Sequence, residues 1–143
     1  MNKSGQNIYE FHNNNCRGEG FSILKEDRGR LFAKNIGTGK KILDLGCRDG
    51  ALTSFFLKNN DVTGADIDTI ALDKASKRGI KPLHFDINGE WEQISQNKYD
   101  VVVIAETLEH IKKKKKVIQK IKSVLNKEGM LIGSVPNAFS LIN

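Results

Sequence analysis

The sequence predicts an α/β chain built on a doubly wound, mainly parallel sheet with helices on both faces. Three observations carry this. Short apolar runs alternate with segments of helical periodicity from residue 40 onward, the pattern that right-handed strand–helix–strand crossovers produce. The run Tyr99 to Ala105, YDVVVIA, is almost wholly apolar, as a strand covered on both faces must be. The first run, Lys41 to Leu45, ends at a glycine loop, Gly46-Cys47-Arg48-Asp49-Gly50, where a strand has to turn sharply into the next element.

The elements follow in order. Residues 1–20 are polar, with three consecutive asparagines at 13–15, and read as a loosely ordered arm ahead of a core at 21–143. Phe21 to Asn35 carries Ile23, Leu24, Leu31 and Phe32 among charges, a helix weakened by Gly29. After the first strand, Ala51 to Asn59 has Leu52, Phe55 and Phe56 at helical spacing. Asp61 to Asp66 is the second strand. Asp68 or Thr69 caps a helix that runs to Arg78 and stops at Gly79. Ile80 to Phe85 is the third strand, and Pro82 within it favours a sheet edge. Trp91 and Ile94 sit on a short helical segment. The fourth strand is Tyr99 to Ala105. Val117, Ile118, Ile121, Val124 and Leu125 form the apolar stripe of a helix ended by Gly129, and Met130 to Val135 is the fifth strand.

Composition narrows the classes. At 143 residues, with 38% hydrophobic and 28% charged residues, the chain has the length and composition of one globular domain. No apolar run approaches the ~18 residues that span a bilayer, and the N-terminus lacks the apolar stretch of a secretory signal, so a cytoplasmic location is expected. Cys16 and Cys47 have neither CxxC spacing nor nearby histidines at ligand spacing, so no metal site is expected; Cys47 is expected to pack as a small apolar residue. Much of the formal charge of +6 comes from Lys112–Lys116. It is therefore a local feature, which argues against a nucleic-acid partner.

Parallel sheets of this kind bind ligands at the carboxyl ends of their strands. The first strand ends in Asp44-Leu45-Gly46, the second in Asp66, and the third in Phe85-Asp86-Ile87. Asp66, 22 residues after Asp44, is suited to accept hydrogen bonds from both ribose hydroxyls. Asp86 can accept from an exocyclic adenine amine, with Ile67 and Ile87 around the ring, although Asp86-Ile87-Asn88-Gly89 is also a good turn sequence. Three acids at successive strand ends match an adenosine-containing ligand. A dinucleotide would require G-x-G-x-x-G, whereas the spacing here is Gly46-x-x-x-Gly50 after Asp44. A carboxylate at that position repels a pyrophosphate and suits a ligand with an ammonium and a sulfonium.

The chain resembles class I S-adenosylmethionine-dependent methyltransferases, especially those with an LDLGCGxG loop and an LEH segment after strand four. The stretches KKILDLGCRDGALT, VTGADIDTIALDKA, YDVVVIAETLEHI and VLNKEGMLIGSVPN carry the resemblance. It implies a Rossmann-like sheet of strand order 3-2-1-4-5 and S-adenosylmethionine as cofactor. It also implies that Asp44, Gly46, Cys47 and Gly50 line the methionine part, that Asp66 binds ribose, that Ile67 packs on adenine, and that Asp86 and Ile87 meet the adenine edge. Ala105 and Glu106 would border the sulfonium and the acceptor. Arg48 stands where the family has glycine, a strained choice if the position needs positive φ. The family continues past strand five, so the expectation is a chain cut short there. Its strand-five edge would be exposed and open to pairing with a second copy.

Methyl transfer needs alignment, exclusion of water and, for oxygen or nitrogen acceptors, a base. His110, beside Glu106 and Glu109, is the candidate base by residue type, against a capping or packing role. No Asn-Pro-Pro-Tyr or Asp-Pro-Pro-Tyr segment follows strand four, so the resemblance favours a small-molecule, lipid-precursor or sugar acceptor over a nucleobase. Two alternatives remain: a non-catalytic cofactor-binding module, and an NAD-dependent oxidoreductase. The lysines at 112–116 oppose the dipole of the helix they open, at about 0.3–1 kcal/mol each when close. They read either as a solvated first turn or as a contact for an anionic acceptor or membrane surface.

Overall fold

The computed structural model describes residues 25–105 and 107–135. Residues 1–24, on which the expected arm and the beginning of the expected first helix fall, and Glu106 and residues 136–143 lie outside the described residues. The elements are α1 (Lys25–Ile36), β1 (Lys41–Leu45), β2 (Asp61–Asp66), α2 (Thr69–Lys77), β3 (Lys81–His84), β4 (Tyr99–Ala105), α3 (Lys114–Val124) and β5 (Leu125–Ser134), with short 3-10 turns at Thr53–Phe56, Glu92–Ile94 and Leu108–His110. The five strands pair in parallel in the order β3-β2-β1-β4-β5, as the resemblance implied. Pro82 does lie in a margin strand, β3, where its missing N–H breaks no central ladder.

Alternating side chains give the sheet two buried faces. Ile42, Val62, Val101 and Val103 pack with Phe32 and Ile36 of α1 and with Leu72 and Ala75 of α2. Leu43, Leu45, Val102 and Ile104 pack on the other face against Trp91 and against Val117, Ile121 and Val124 of α3. Consecutive residues of β1 and β4 thus enter opposite layers, which is why both strands read as unbroken apolar runs. The Asp68 carboxylate caps α2 by accepting from the N–H groups of Ile70 (2.9 Å) and Ala71 (3.1 Å). Gly79, at φ 98°, ends it.

Two readings need correction. Residues 51–59 do not form an α-helix: only Thr53–Phe56 winds, as a single 3-10 turn. The Asn60 amide donates to the Phe56 carbonyl (2.8 Å) and to the Gly37 carbonyl (2.9 Å), and Asn59 at φ 61° reverses the chain. These contacts stop the turn before a second can form. Likewise α3 ends at Val124 rather than at Gly129, because Leu125 is already extended (ψ 140°) and pairs with Tyr99. A register shift follows, after which Met130 to Ser134 pair regularly with Val101 to Ala105.

Candidate active site at the strand carboxyl ends

The glycine loop is held against β2 by its own backbone. The N–H groups of Gly46 and Cys47 both donate to the Ala65 carbonyl (2.7 and 3.2 Å). The Cys47 side chain is buried against Gly64, where an added Cβ would sit 2.7 Å from its sulfur; the cysteine packs as expected, and burial pushes its thiol pKa up. Gly46 (φ 78°) and Gly50 (φ 79°) adopt left-handed conformations, and an added Cβ would strike Thr107 and Ile80 respectively. Gly50 N–H donates to the Cys47 carbonyl (3.0 Å) and Ala51 N–H to the Asp49 carboxylate (3.1 Å). No α-helix follows the loop to aim free amides at a ligand, only the 3-10 turn Thr53–Phe56, and these loop amides are already engaged.

Arg48 does adopt positive φ, 53°. Its N–H donates to Asp66 Oδ2 (2.8 Å), while Asp66 Oδ1 accepts from Asp68 N–H (2.9 Å). Asp66 thus ties the loop after β1 to the turn after β2. Arg48→Gly is expected to stabilise the fold by about 1 kcal/mol in urea denaturation, since the left-handed conformation costs a non-glycine residue about 1–2 kcal/mol; loss of the guanidinium's favourable field at Asp66 trims the gain.

Asp44, within β1, is 3% exposed. Burial pushes its pKa from 3.8 up to about 7; the Thr53 hydrogen bond opposes the rise and the neighbouring Asp66 carboxylate adds to it. Thr53 Oγ1 donates to Asp44 Oδ2 at 2.6 Å. Burial also raises Asp66, against the two N–H groups that it accepts. Asp44 is thus only partly ionised near neutrality, unlike the fully charged group the sequence suggested.

The remaining predicted residues divide. Ile67 is half exposed at the end of β2, and its carbonyl lies 3.2 Å from His84 Nε2 of β3. Asp86 is exposed and its carboxylate accepts from Asn88 N–H (2.9 Å), a turn contact, while the Ile87 carbonyl accepts from the Trp91 indole (3.1 Å). Ala105, half buried, ends β4. His110 is exposed on the 3-10 turn, its Nε2 3.9 Å from Glu109 Oε1. Sequence reasoning missed two residues. One is Thr53, fully buried beneath Asp44. The other is Thr107, whose hydroxyl lies within hydrogen-bond distance of the carbonyls of Ala105 (3.0 Å) and Leu45 (3.3 Å), joining the ends of β4 and β1. A threonine nine residues after the strand acid was the only trace of the first.

The sheet is parallel in the order 3-2-1-4-5, and residues 17–142 match the family model described as methyltransferase domain. The chain belongs to that family. It is 33% identical over 127 residues to the ubiquinone biosynthesis O-methyltransferase of Haemophilus ducreyi, covering 82% of this chain and 51% of that protein. It is 36% identical over 109 residues to the corresponding enzyme of Actinobacillus pleuropneumoniae, covering 69% and 47%. The chain spans about half the length of the curated relatives it matches. Among solved structures, the plantazolicin methyltransferase BpumL in complex with S-adenosylhomocysteine superposes with a TM-score of 0.73 at 21% identity, covering 99% of this chain and 57% of that one. Coclaurine N-methyltransferase gives 0.69 at 22% identity, covering 82% and 41%. At such identities the likeness is one of fold.

Proposed function

We propose that this chain binds S-adenosylmethionine at the carboxyl ends of β1, β2 and β3 as the cofactor core of a small-molecule methyltransferase. The observation that carries the reading is the pairing of Asp44 and Asp66 beside a loop in which the N–H groups of Gly46, Cys47, Arg48, Gly50 and Ala51 are already bonded within the protein. Such a loop offers a pyrophosphate few donors and two nearby acids, the opposite of what a dinucleotide site supplies. An adenosine with an ammonium tail fits the same groups. An ionised carboxylate has about four acceptor positions; Asp66 uses two on Arg48 and Asp68, leaving two for ribose hydroxyls. Ile67, 49% exposed, offers apolar surface to an adenine ring. Asp44 faces the ammonium, and Asp86 and Ile87 the adenine edge.

The cofactor supplies a methyl group on positive sulfur. The chain's part is positioning and exclusion of water. Thr107 fixes the spacing of the β1 and β4 ends, and Gly46 leaves room beside it. The O-methyltransferase relatives support an oxygen acceptor, for which His110 would take the hydroxyl proton. Calorimetric titration with S-adenosylmethionine, S-adenosylhomocysteine and NAD tests the reading: the first two are expected to bind and NAD is not. Binding of NAD in their place would convert the proposal into its oxidoreductase rival.

A further inference from the structure

The five-lysine run does not act as one patch. Lys112, Lys113 and Lys116 line a cleft of about 130 Å3 whose opposite wall is the Asn88-Gly89 turn, with Lys120 beneath. Lys114 turns back instead to donate to the Ile111 carbonyl (3.1 Å), and Lys115 is not part of the cleft lining. The cleft is built rather than frayed. Lys112 N–H donates to Asn88 Oδ1 (3.2 Å). Lys120 Nζ donates to the Gly89 carbonyl (3.0 Å) and stands over the Trp91 ring, 5.8 Å from its centroid. Glu90 also reaches the cleft, yet among the described residues Lys112, Lys113 and Lys116 have no ion-pair partner.

Four lysines line one small cleft. Three of them also stand at or before the first turn of α3, whose N-cap, Lys113, supplies no capping side chain. Against these four lysines the cleft lining holds one acid, Glu90, and breaches of local preference mark places built for something else. A water needs about 10–15 Å3 on the same measure, so the cleft has room for a tetrahedral oxyanion.

We propose that this cleft binds a phosphate group, borne either by a soluble phosphorylated compound or by a lipid headgroup. Neither Asp44 nor Asp66 lines the cleft, whereas Ile87, which the proposed function sets at the adenine edge, does. The proposal does not depend on which cofactor the chain takes.

The test uses the full chain and two charge-matched variants, K113Q/K116Q in the cleft and K114Q/K115Q outside it. Titration with inorganic phosphate and with glycerol 3-phosphate, and flotation with phosphatidylcholine vesicles with and without phosphatidylglycerol, separate the two sources. Tighter binding of glycerol 3-phosphate than of inorganic phosphate assigns the soluble source; flotation that requires phosphatidylglycerol assigns the headgroup. In either case K113Q/K116Q is expected to bind about fivefold or more weakly than wild type, and K114Q/K115Q within about twofold of it. Both variants are expected to unfold at the wild-type temperature and to keep wild-type S-adenosylhomocysteine affinity. Equal losses in the two variants would show diffuse charge attraction and overturn the proposal, as would the absence of binding to every phosphate probe.

Discussion

Asp66→Ala is expected to weaken S-adenosylhomocysteine binding at least about hundredfold. On the proposed reading, the Asp66 carboxylate accepts from two ribose hydroxyls with the positions left over from Arg48 and Asp68. Hydrogen bonds to a charged group contribute about 1.5–3 kcal/mol each, and two of them make at least two powers of ten in affinity. The same substitution removes the acceptor that holds Arg48 at φ 53°. Urea denaturation is therefore expected to show a loss of about 1–3 kcal/mol as well. The two readouts separate two roles. A destabilised protein with wild-type affinity would make Asp66 a loop anchor only and would remove the cofactor assignment.

Between pH 6 and pH 8 the affinity for S-adenosylhomocysteine is expected to rise about tenfold and then level off. The cause is Asp44, which burial and the Asp66 charge hold at about 7 despite the Thr53 hydrogen bond. A ligand ammonium favours the ionised carboxylate. Well below pH 7 binding must first expel the proton, and above pH 7 the site is already charged, so affinity climbs through the transition. Folding stability runs the other way. The ligand-free fold holds this proton more tightly than the unfolded chain, whose aspartate titrates near 3.8. Its contribution is complete below about pH 4 and is lost as pH rises through about 7, an effect of a few kcal/mol. Asp66, also raised, adds in the same direction. Thr53→Val removes a donor that lowers the Asp44 pKa, so the affinity midpoint is expected to move above pH 7. Asp44→Asn is expected to remove the main step. Calorimetry across pH measures both; a flat profile in the wild type would show that Asp44 faces no ligand charge.

Much of this was legible in the sequence because it depends on near neighbours. The bounds of β1, β2 and β4 follow from apolar runs closed by Gly, Asp or Asn. The Asp68 cap and the Gly79 stop follow from chemistry acting within a few residues. The segment after the glycine loop was misread for a related reason. Leu52, Phe55 and Phe56 sit at spacings that one 3-10 turn satisfies as well as an α-helix does. What decides between them is the Asn60 amide, which reaches back to Phe56 and across to Gly37.

Most of the proposed site residues were read from the sequence, Thr53 and Thr107 excepted; the states of all of them were not. A run of strand-end acids pointed to Asp44, Asp66 and Asp86, and the turn contact of Asp86 with Asn88 was legible as the alternative, but nothing local shows that Asp66 accepts from the backbone amide of Arg48, 18 residues earlier. The Lys112–Lys116 run announced its charge, whereas its division into a cleft wall and an outer face depends on a turn more than 20 residues earlier in the chain. The sequence by itself determined the parallel α/β architecture and the family, since periodicity, capping and turn chemistry are short-range. Only the tertiary structure decided that Asp44 is buried enough to hold a proton near neutrality and that Arg48 is fastened in a glycine's conformation. Desolvation and shared hydrogen bonds arise from residues that meet only when the chain is folded.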